Sequence, residues 1–184
     1  MNRTARALQI PVGGALAEKA ALFTLFFLGT VLGAYVEIPL PFTPVPLTLQ
    51  TLFVLLCGAW IGAGWGAGVQ ALYLSSGALG AGVFAGAASG LVQLAGPTAG
   101  YLWAFLPAVL LVGSLWKSVA SKGVLAKVLL FSAADLLVLA CGTLWLGLFL
   151  HVGPVAAVAM GLAPFLPGEA VKIALAVAFS PKSR

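Results

Sequence analysis

The chain has 184 residues, of which 62% are hydrophobic and only 7% are charged, and its formal net charge is +5. Apolar runs of about 18 residues or more indicate membrane-spanning helices, and most of this chain consists of such runs. The composition therefore excludes an ordinary soluble domain and predicts a single integral membrane domain over residues 1–184. Both cysteines, Cys57 and Cys141, lie inside apolar runs, so we expect buried small side chains rather than a disulfide.

The first predicted helix spans roughly residues 18–36. Arg3 and Arg6 precede it, as in a signal peptide, but the apolar run is too long for a signal sequence. We therefore expect it to be retained as the first membrane span. It is followed by a Pro-rich loop (residues 37–46), which has four prolines in eight residues. Proline cannot continue a helix, so this loop is predicted to be rigid and extended.

The second and third helices are predicted at roughly 48–62 and 64–79, with a tight turn at Gly62–Gly64 between them. A Gly-rich segment (residues 77–96) follows. It is too irregular for a helix and too apolar for a water-exposed loop. Irregular backbone at membrane depth persists only when it is buried in protein or lines a cavity, so this segment is expected to do one or the other.

The remaining elements are separated by clear breaks. A basic loop is expected between the fourth and fifth helices, and a break at His151-Val152-Gly153-Pro154 ends the fifth. Pro167 suits the first turn of the sixth helix. The predicted ranges are roughly 98–116 and 127–149 for the fourth and fifth helices, 154–163 for a short helix, and 167–180 for the sixth.

The positions of the basic residues predict how the chain is oriented in the membrane. With six crossings, eight of the nine Lys and Arg residues fall on the same side of the membrane: Arg3, Arg6, Lys19, Lys117, Lys122, Lys127, Lys182 and Arg184. Basic residues are enriched on the cytoplasmic side, whereas five or seven crossings would divide this set. The prediction is an all-α integral membrane bundle of six transmembrane helices with both termini cytoplasmic. This explanation leaves no basic surface that would suggest nucleic acid.

Glu169 and Lys172 are charges inside an apolar helix. Charges at membrane depth are costly and usually face a partner, a cavity or a ligand, and residues three apart share a helix face. Two interpretations stay open. The residues form an internal pair that satisfies both charges, or Lys172 takes a ligand carboxylate while Glu169 accepts from ligand N–H groups. Asp135 is a third intramembrane charge, which could pair with Lys172, hydrogen-bond across helices, contact substrate or take part in proton coupling.

Five other side chains are candidates for substrate contact. Gln50 and Thr43 lie where the Pro-rich loop meets the second helix, where they either bind a ligand or cap the helix. Phe84 and Tyr101 either stack on an apolar ligand or pack in the core. Ser89 lies in the Gly-rich segment beside Phe84.

Enzyme signatures are absent from the sequence. It contains no G-x-x-x-x-G-K-[ST] phosphate loop and no H-E-x-x-H or G-x-S-x-G motif. One histidine and two separated cysteines do not build an ordinary zinc site. We therefore expect no catalytic residues, no metal and no cofactor, so any ATP-driven step would need another subunit.

Small residues four apart on the first helix permit close approach of another helix. The pairs are Ala17 with Ala21, and Gly29 with Gly33. Docking of a partner and internal packing are both consistent with this spacing.

Five stretches resemble the BioY family, the biotin-specific substrate-binding (S) components of energy-coupling factor (ECF) transporters. They occur in the family's order along nearly the whole chain: Ile38–Pro41, Pro44–Leu52, Val83–Gly86, Gly96–Tyr101, and Phe165–Glu169 with Lys172. The resemblance implies the six-helix ECF S-component fold and high-affinity biotin binding near the outer face. It also implies biotin uptake across a bacterial or archaeal cytoplasmic membrane.

The resemblance further implies a T component and two ATPase subunits as partners, whose work reorients the S component to release biotin inward. The family's Pro-Gly-acid-x-x-Lys motif contacts biotin, which implies this role for Glu169 and Lys172. The family usually has Asp where this chain has Glu169, and the extra methylene shifts the carboxylate by about 1.5 Å. An S component for another small anionic vitamin, and a self-sufficient ion-driven transporter, are the alternative functions.

Overall fold

The computed structural model describes residues 12–181, with side chains from residue 16 onward. The described part contains six α-helices and one pair of short strands. The predicted cytoplasmic residues Arg3, Arg6, Lys182 and Arg184 lie outside the described residues. The elements are α1 (Val12–Tyr35), β1 (Glu37–Ile38), β2 (Leu47–Thr48), α2 (Gln50–Ala78), α3 (Ala99–Val119), α4 (Val124–Leu150), α5 (Pro154–Gly161) and α6 (Leu166–Phe179).

The helix α2 is a hairpin of two limbs, residues 50–61 and 63–78. Gly62 breaks it with φ 79° and ψ 176°, a conformation that glycine adopts without a Cβ clash. The Gln50 amide donates a hydrogen bond to the Tyr73 hydroxyl, although a straight helix would separate residues 23 positions apart by about 35 Å. The predicted turn between the second and third helices is therefore confirmed.

The connection between α3 and α4 is shorter than predicted. The expected basic loop from Lys117 to Lys127 is reduced to residues 120–123, because both lysines lie in the terminal turns of helices. Lysine has a high helix propensity and a long stem that keeps its charge in water. Gly123, with φ 92°, ends the connection.

The Pro-rich loop is not helical, as predicted, but the expectation that it is extended is wrong. It turns back at Pro41–Phe42, where the Thr43 N–H donates to the Leu40 carbonyl at 3.4 Å, and a small antiparallel ladder closes its base. Glu37 is opposite Thr48 and Ile38 is opposite Leu47 in this pair of strands. The all-α class is confirmed, and these four residues are the short strand exception within residues 12–181. The ladder places the start of α2 beside the end of α1, where Gly33 and Leu49 share a backbone hydrogen bond of 2.9 Å.

The helices form a bundle around α2, which packs mainly against α1 and α3, while α4 packs against α3 and α6. Four helices in residues 12–181 are long and apolar enough to cross a membrane, and the bent pair α5 and α6 qualifies as a fifth span. Large apolar side chains such as Leu144 and Leu148 are exposed. The described part is thus a multi-pass membrane protein.

The irregular segments lie at one end of the bundle, here called the loop-rich end. The Tyr35 hydroxyl at the end of α1 donates to the Gly82 carbonyl. The Trp145 indole of α4 donates to the Gly96 carbonyl at 2.8 Å. These bonds hold the Gly-rich segment over the helix ends. After α2 ends at Ala78, the segment contains a short 3₁₀ turn at Ala85–Ala87 and further hydrogen-bonded turns at residues 90–96.

The short turns lie at the opposite end of the bundle, here called the basic end. The Trp60 indole beside the α2 hairpin turn donates to the Phe179 carbonyl at 3.0 Å. A Cβ atom on Gly113 of α3 would lie 2.6 Å from the Ala63 Cα, so α3 passes very close to that turn. Four of the five lysines in the described chain belong to this end: Lys19, Lys117, Lys122 and Lys127.

The small residues of α1 divide into two groups. Gly29 and Gly33 are buried, and Cβ atoms there would meet the Phe53 ring and the Gln50 backbone. This spacing therefore serves internal packing. Ala17 and Ala21 are exposed. Cys57 is buried, as predicted, but Cys141 is exposed on α4; both are free thiols.

Candidate functional site

A cavity of about 280 Å³ lies at the loop-rich end. Its walls come from the Pro-rich loop, the Gly-rich segment and helices α2, α3, α4 and α6. The polar lining residues are Glu37, Thr48, Gln50, Thr51, Gln93, Thr98, Glu169 and Lys172. The aromatic lining residues are Phe84, Tyr101, Phe105 and Phe165.

Glu169 and Lys172 form a buried ion pair at the cavity wall. Lys172 Nζ lies 2.5 Å from Glu169 Oε1, and the two side chains are only 4% and 5% exposed. Pro167 occupies the first turn of α6, and the i, i+3 spacing brings the two side chains onto one helix face. The internal pair considered from the sequence is therefore present, and both of its members also line the cavity.

Thr51 joins the ion pair to α2. Its hydroxyl donates to Glu169 Oε2 at 2.8 Å and accepts from Lys172 Nζ at 3.0 Å. An ammonium has three N–H donors, so these contacts use two of them and leave one for a ligand. The resulting triad places a donor and an acceptor side by side, in a setting where charge-assisted hydrogen bonds are strong.

Asp135 adds a second carboxylate to this cluster from α4. It is 2% exposed, it interacts electrostatically with Glu169 and Lys172, and it is not among the cavity-lining residues. Its Oδ1 atom has no hydrogen-bond partner among the described residues. Among the described residues, the cluster therefore brings two carboxyl groups and one ammonium together.

Aromatic side chains form the apolar walls. The Phe84 ring fills the space above Gly77, where any Cβ atom would overlap it. Tyr101 packs against Phe165 with ring centroids 6.1 Å apart, and its hydroxyl donates to the Gly161 carbonyl at 2.6 Å. Phe84 and Tyr101 thus pack in the core and also line the cavity, and their stacking on a ligand stays a prediction.

Besides Asp135, two other residues named from the sequence do not line the cavity. Thr43 is buried, but its hydroxyl accepts from the Val45 backbone N–H at 3.3 Å and so stabilises the Pro-rich loop. Ser89 is exposed, whereas its neighbour Ala88 lines the cavity. Gln50 lines the cavity without capping α2, because the helix lacks a side-chain cap.

Several lining residues were not predicted as site residues. Thr51 is the most important of them, because it contacts both members of the ion pair. Its position beside Gln50 at the start of α2 was the only sequence signal. Phe105, Val138 and Leu139 belong to uniform apolar runs, in which periodicity does not distinguish a cavity wall from core.

The arrangement is suited to binding rather than catalysis. A donor and an acceptor lie together at one wall, while apolar and aromatic side chains form most of the remainder, which is typical of small-molecule sites. Within residues 12–181 no three His, Cys, Asp or Glu side chains are grouped to hold a metal ion. Fold and site together define a multi-pass membrane protein with a cavity at one end, lined by a buried ion pair and aromatic side chains.

Comparisons with known proteins agree with this class. The BioY family model matches residues 2–184, and the chain belongs to the BioY family. It is 37% identical over 162 residues to a probable biotin transporter BioY of Pyrococcus horikoshii, covering 88% of this chain and 93% of that protein. It is 35% identical over 159 residues to the biotin transporter BioY of Thermotoga maritima, covering 86% and 89%.

A solved structure shares the fold. The crystal structure of the S-component for biotin from an ECF-type ABC transporter matches with a TM-score of 0.84 at 22% sequence identity, and the match covers 89% of each chain. At that identity the match establishes the S-component fold, and the roles of individual residues are inferred from the cavity itself.

Proposed function

We propose that this chain binds biotin in the cavity at the loop-rich end and serves biotin uptake as an S component. The observation that carries the proposal is the buried Glu169–Lys172 pair facing a cavity with aromatic walls. The names of the relatives from Pyrococcus horikoshii and Thermotoga maritima support biotin as the ligand. The function is binding and transport, with no catalytic step.

The pair must contact one end of the ligand, because its charged atoms are 2.5 Å apart. Biotin has a ureido ring at one end, in which two N–H donors flank a carbonyl oxygen, and a carboxylate at the other. In our proposal the ureido N–H groups donate to Glu169 and the carbonyl oxygen accepts from Lys172. This revises the expectation that Lys172 takes the ligand carboxylate.

Charge balance favours the ureido end. A ligand carboxylate at this wall would add a second negative group beside Glu169, whose charge Lys172 already balances. Like charges in a poorly solvated site cost several kcal/mol, whereas the neutral ureido ring adds no charge. The sulfur ring and aliphatic tail then contact Phe84 and Tyr101.

Two biotin analogues test this orientation. Biotin methyl ester lacks the carboxylate charge, and diaminobiotin lacks the ureido carbonyl. We expect purified protein in detergent to bind the ester within about tenfold of biotin, and to bind diaminobiotin at least about 30-fold more weakly, because charge-assisted hydrogen bonds are lost. Loss of ester binding together with retained diaminobiotin binding would place the carboxylate at the pair instead.

We further propose six membrane passes: α1, the two limbs of α2, α3, α4, and α5 with α6. The lysines at the basic end favour a cytoplasmic location for that end, so the cavity would face outward. A T component and two ATPase subunits would then drive the reorientation that releases biotin into the cell. The host membrane would be a bacterial or archaeal cytoplasmic membrane.

One observation favours a second candidate, ion-driven uptake without ATPases. Asp135 and Glu169 are both buried carboxylates, and buried acids are common in ion-coupled transporters. Uptake in cells that lack the ATPase subunits separates the two functions. Uptake that persists there and is abolished by an uncoupler would favour the ion-driven function.

A further inference from the structure

A chain of hydrogen bonds leads from the cavity wall into the protein interior. The Thr48 hydroxyl donates to Gln50 Oε1 at 3.1 Å. Gln50 Nε2 donates to the Tyr73 hydroxyl, and that hydroxyl donates to the Val83 carbonyl at 3.1 Å. Thr48 and Gln50 line the cavity, whereas Tyr73 is 0% exposed and is not a lining residue.

The donor and acceptor in each of these hydrogen bonds are determined at the inner end of the series, at the Val83 carbonyl. The Val83 carbonyl can only accept, so the single proton of the Tyr73 hydroxyl points toward it. A lone pair of that hydroxyl then faces Gln50, and only the NH₂ group of the amide satisfies it. The amide oxygen of Gln50 must therefore point toward Thr48, which uses the Thr48 proton.

As a result, this part of the cavity wall offers a defined arrangement of hydrogen-bond donors and acceptors to a ligand. Thr48 is left with hydroxyl lone pairs for a ligand donor, and Gln50 keeps one N–H for a ligand acceptor. An unrestrained amide could exchange its oxygen and nitrogen positions with almost no change of shape. We propose that Tyr73 is a positioning residue that sets the hydrogen-bonding pattern of this wall, and thereby ligand affinity, by fixing the Gln50 amide.

Packing holds Tyr73 in place. Its ring lies edge-to-face against Phe84, with centroids 5.4 Å apart, and also packs against Phe105 at 6.4 Å. Because the ring is fully buried, the hydroxyl has no water to replace its partners, and hydrogen bonds in such surroundings reinforce one another.

Tyr35 offers a matched control. Its hydroxyl donates to the Gly82 carbonyl, next to Val83 in the Gly-rich segment, but Tyr35 is not a cavity residue and makes no side-chain hydrogen bond to Gln50 in the described part. Removing either tyrosine hydroxyl weakens the attachment of the same segment. Only the Tyr73 hydroxyl also orients the amide.

The test is biotin affinity in detergent for Tyr73→Phe, Tyr35→Phe, Gln50→Leu and the double variant Tyr73→Phe/Gln50→Leu. It rests on the proposed function for its ligand. We expect Tyr73→Phe to weaken binding about tenfold, as for one well-formed hydrogen bond, and Tyr35→Phe to weaken it less than about twofold. Tyr73→Phe should have no further effect once Gln50 is leucine. Equal losses for the two tyrosine variants, or a full Tyr73→Phe effect in the Gln50→Leu background, would overturn the proposal.

A second measurement does not depend on biotin. Thermal unfolding midpoints of the ligand-free wild type, Tyr73→Phe, Gln50→Leu and Tyr73→Phe/Gln50→Leu report the Tyr73–Gln50 bond directly. Tyr73→Phe should lower the midpoint more when Gln50 is present than in the Gln50→Leu background. That coupling in a wild-type protein without biotin affinity would contradict the proposed function alone, whereas additive midpoints would overturn the role of Tyr73.

Discussion

Replacing Lys172 by methionine, alone and together with Glu169→Gln, separates the contribution of the ion pair to protein stability from its contribution to biotin binding. The ammonium is buried and contacts Glu169 and Thr51 at 2.5 and 3.0 Å. Methionine fills similar space but leaves the Glu169 carboxylate buried without a counter-charge. Breaking a buried pair in this way costs about 3–5 kcal/mol of stability, so Lys172→Met should be strongly destabilised in SDS titrations of the purified protein.

The double variant Glu169→Gln/Lys172→Met removes both charges together. Replacing a whole buried pair by neutral side chains is commonly neutral or stabilising, so we expect its unfolding free energy to return to near the wild-type value. Biotin binding should not return, because the site lacks the ammonium donor and the charged carboxylate acceptor, and a neutral amide makes weaker hydrogen bonds. The loss should be about 2–5 kcal/mol, or roughly 30- to 5,000-fold in Kd.

Lys117 provides the control for this series. It is exposed at the basic end, so Lys117→Met should change stability by less than about 0.5 kcal/mol and leave biotin binding intact. A double variant that is stable and binds biotin with wild-type affinity would refute the reasoning, because the pair would then be purely structural.

Two further predictions concern the fold. Gly113→Ala should destabilise the protein by about 1–3 kcal/mol through overpacking against the α2 hairpin turn. Gly64→Ala should be neutral or stabilising by up to about 1 kcal/mol, because its Cβ atom would meet no atom of the described residues within 4 Å. Equal unfolding free energies for the two variants in SDS titrations would contradict the close approach of α3 to that turn. In a Cys141→Ala background, Ser89→Cys should react with a membrane-impermeant maleimide in intact cells, and Ser121→Cys should react only after lysis; the reverse pattern would invert the proposed orientation.

Sequence reasoning located the breaks in the chain well because glycine and proline have strong local effects. Gly62 interrupts α2 within the predicted turn. The prolines correctly predicted a break from helix at the Pro-rich loop, but its turn and β ladder were not predicted, because two residues per strand leave no periodic pattern. The charged ends of α3 and α4 were misjudged as loop, since lysines in terminal helical turns resemble lysines in a connection.

The site was predictable where charge made it conspicuous. Glu169 and Lys172 were found because ionised groups in apolar helices need partners. Thr51 was missed because its role depends on α6 packing against the start of α2, a tertiary contact without a local signature. Asp135 and Ser89 show the converse: polar character alone did not reveal that one lies behind the ion pair and the other faces away from the cavity.

Calorimetric titration of the purified wild-type protein with biotin, alongside Lys172→Ala, tests whether the chain binds biotin at the Glu169–Lys172 pair. We expect one biotin site per chain in the wild type and an affinity weaker by about 2–5 kcal/mol in the variant. A folded wild-type protein that does not bind biotin, or a folded Lys172→Ala variant that binds it with unchanged affinity, would contradict it.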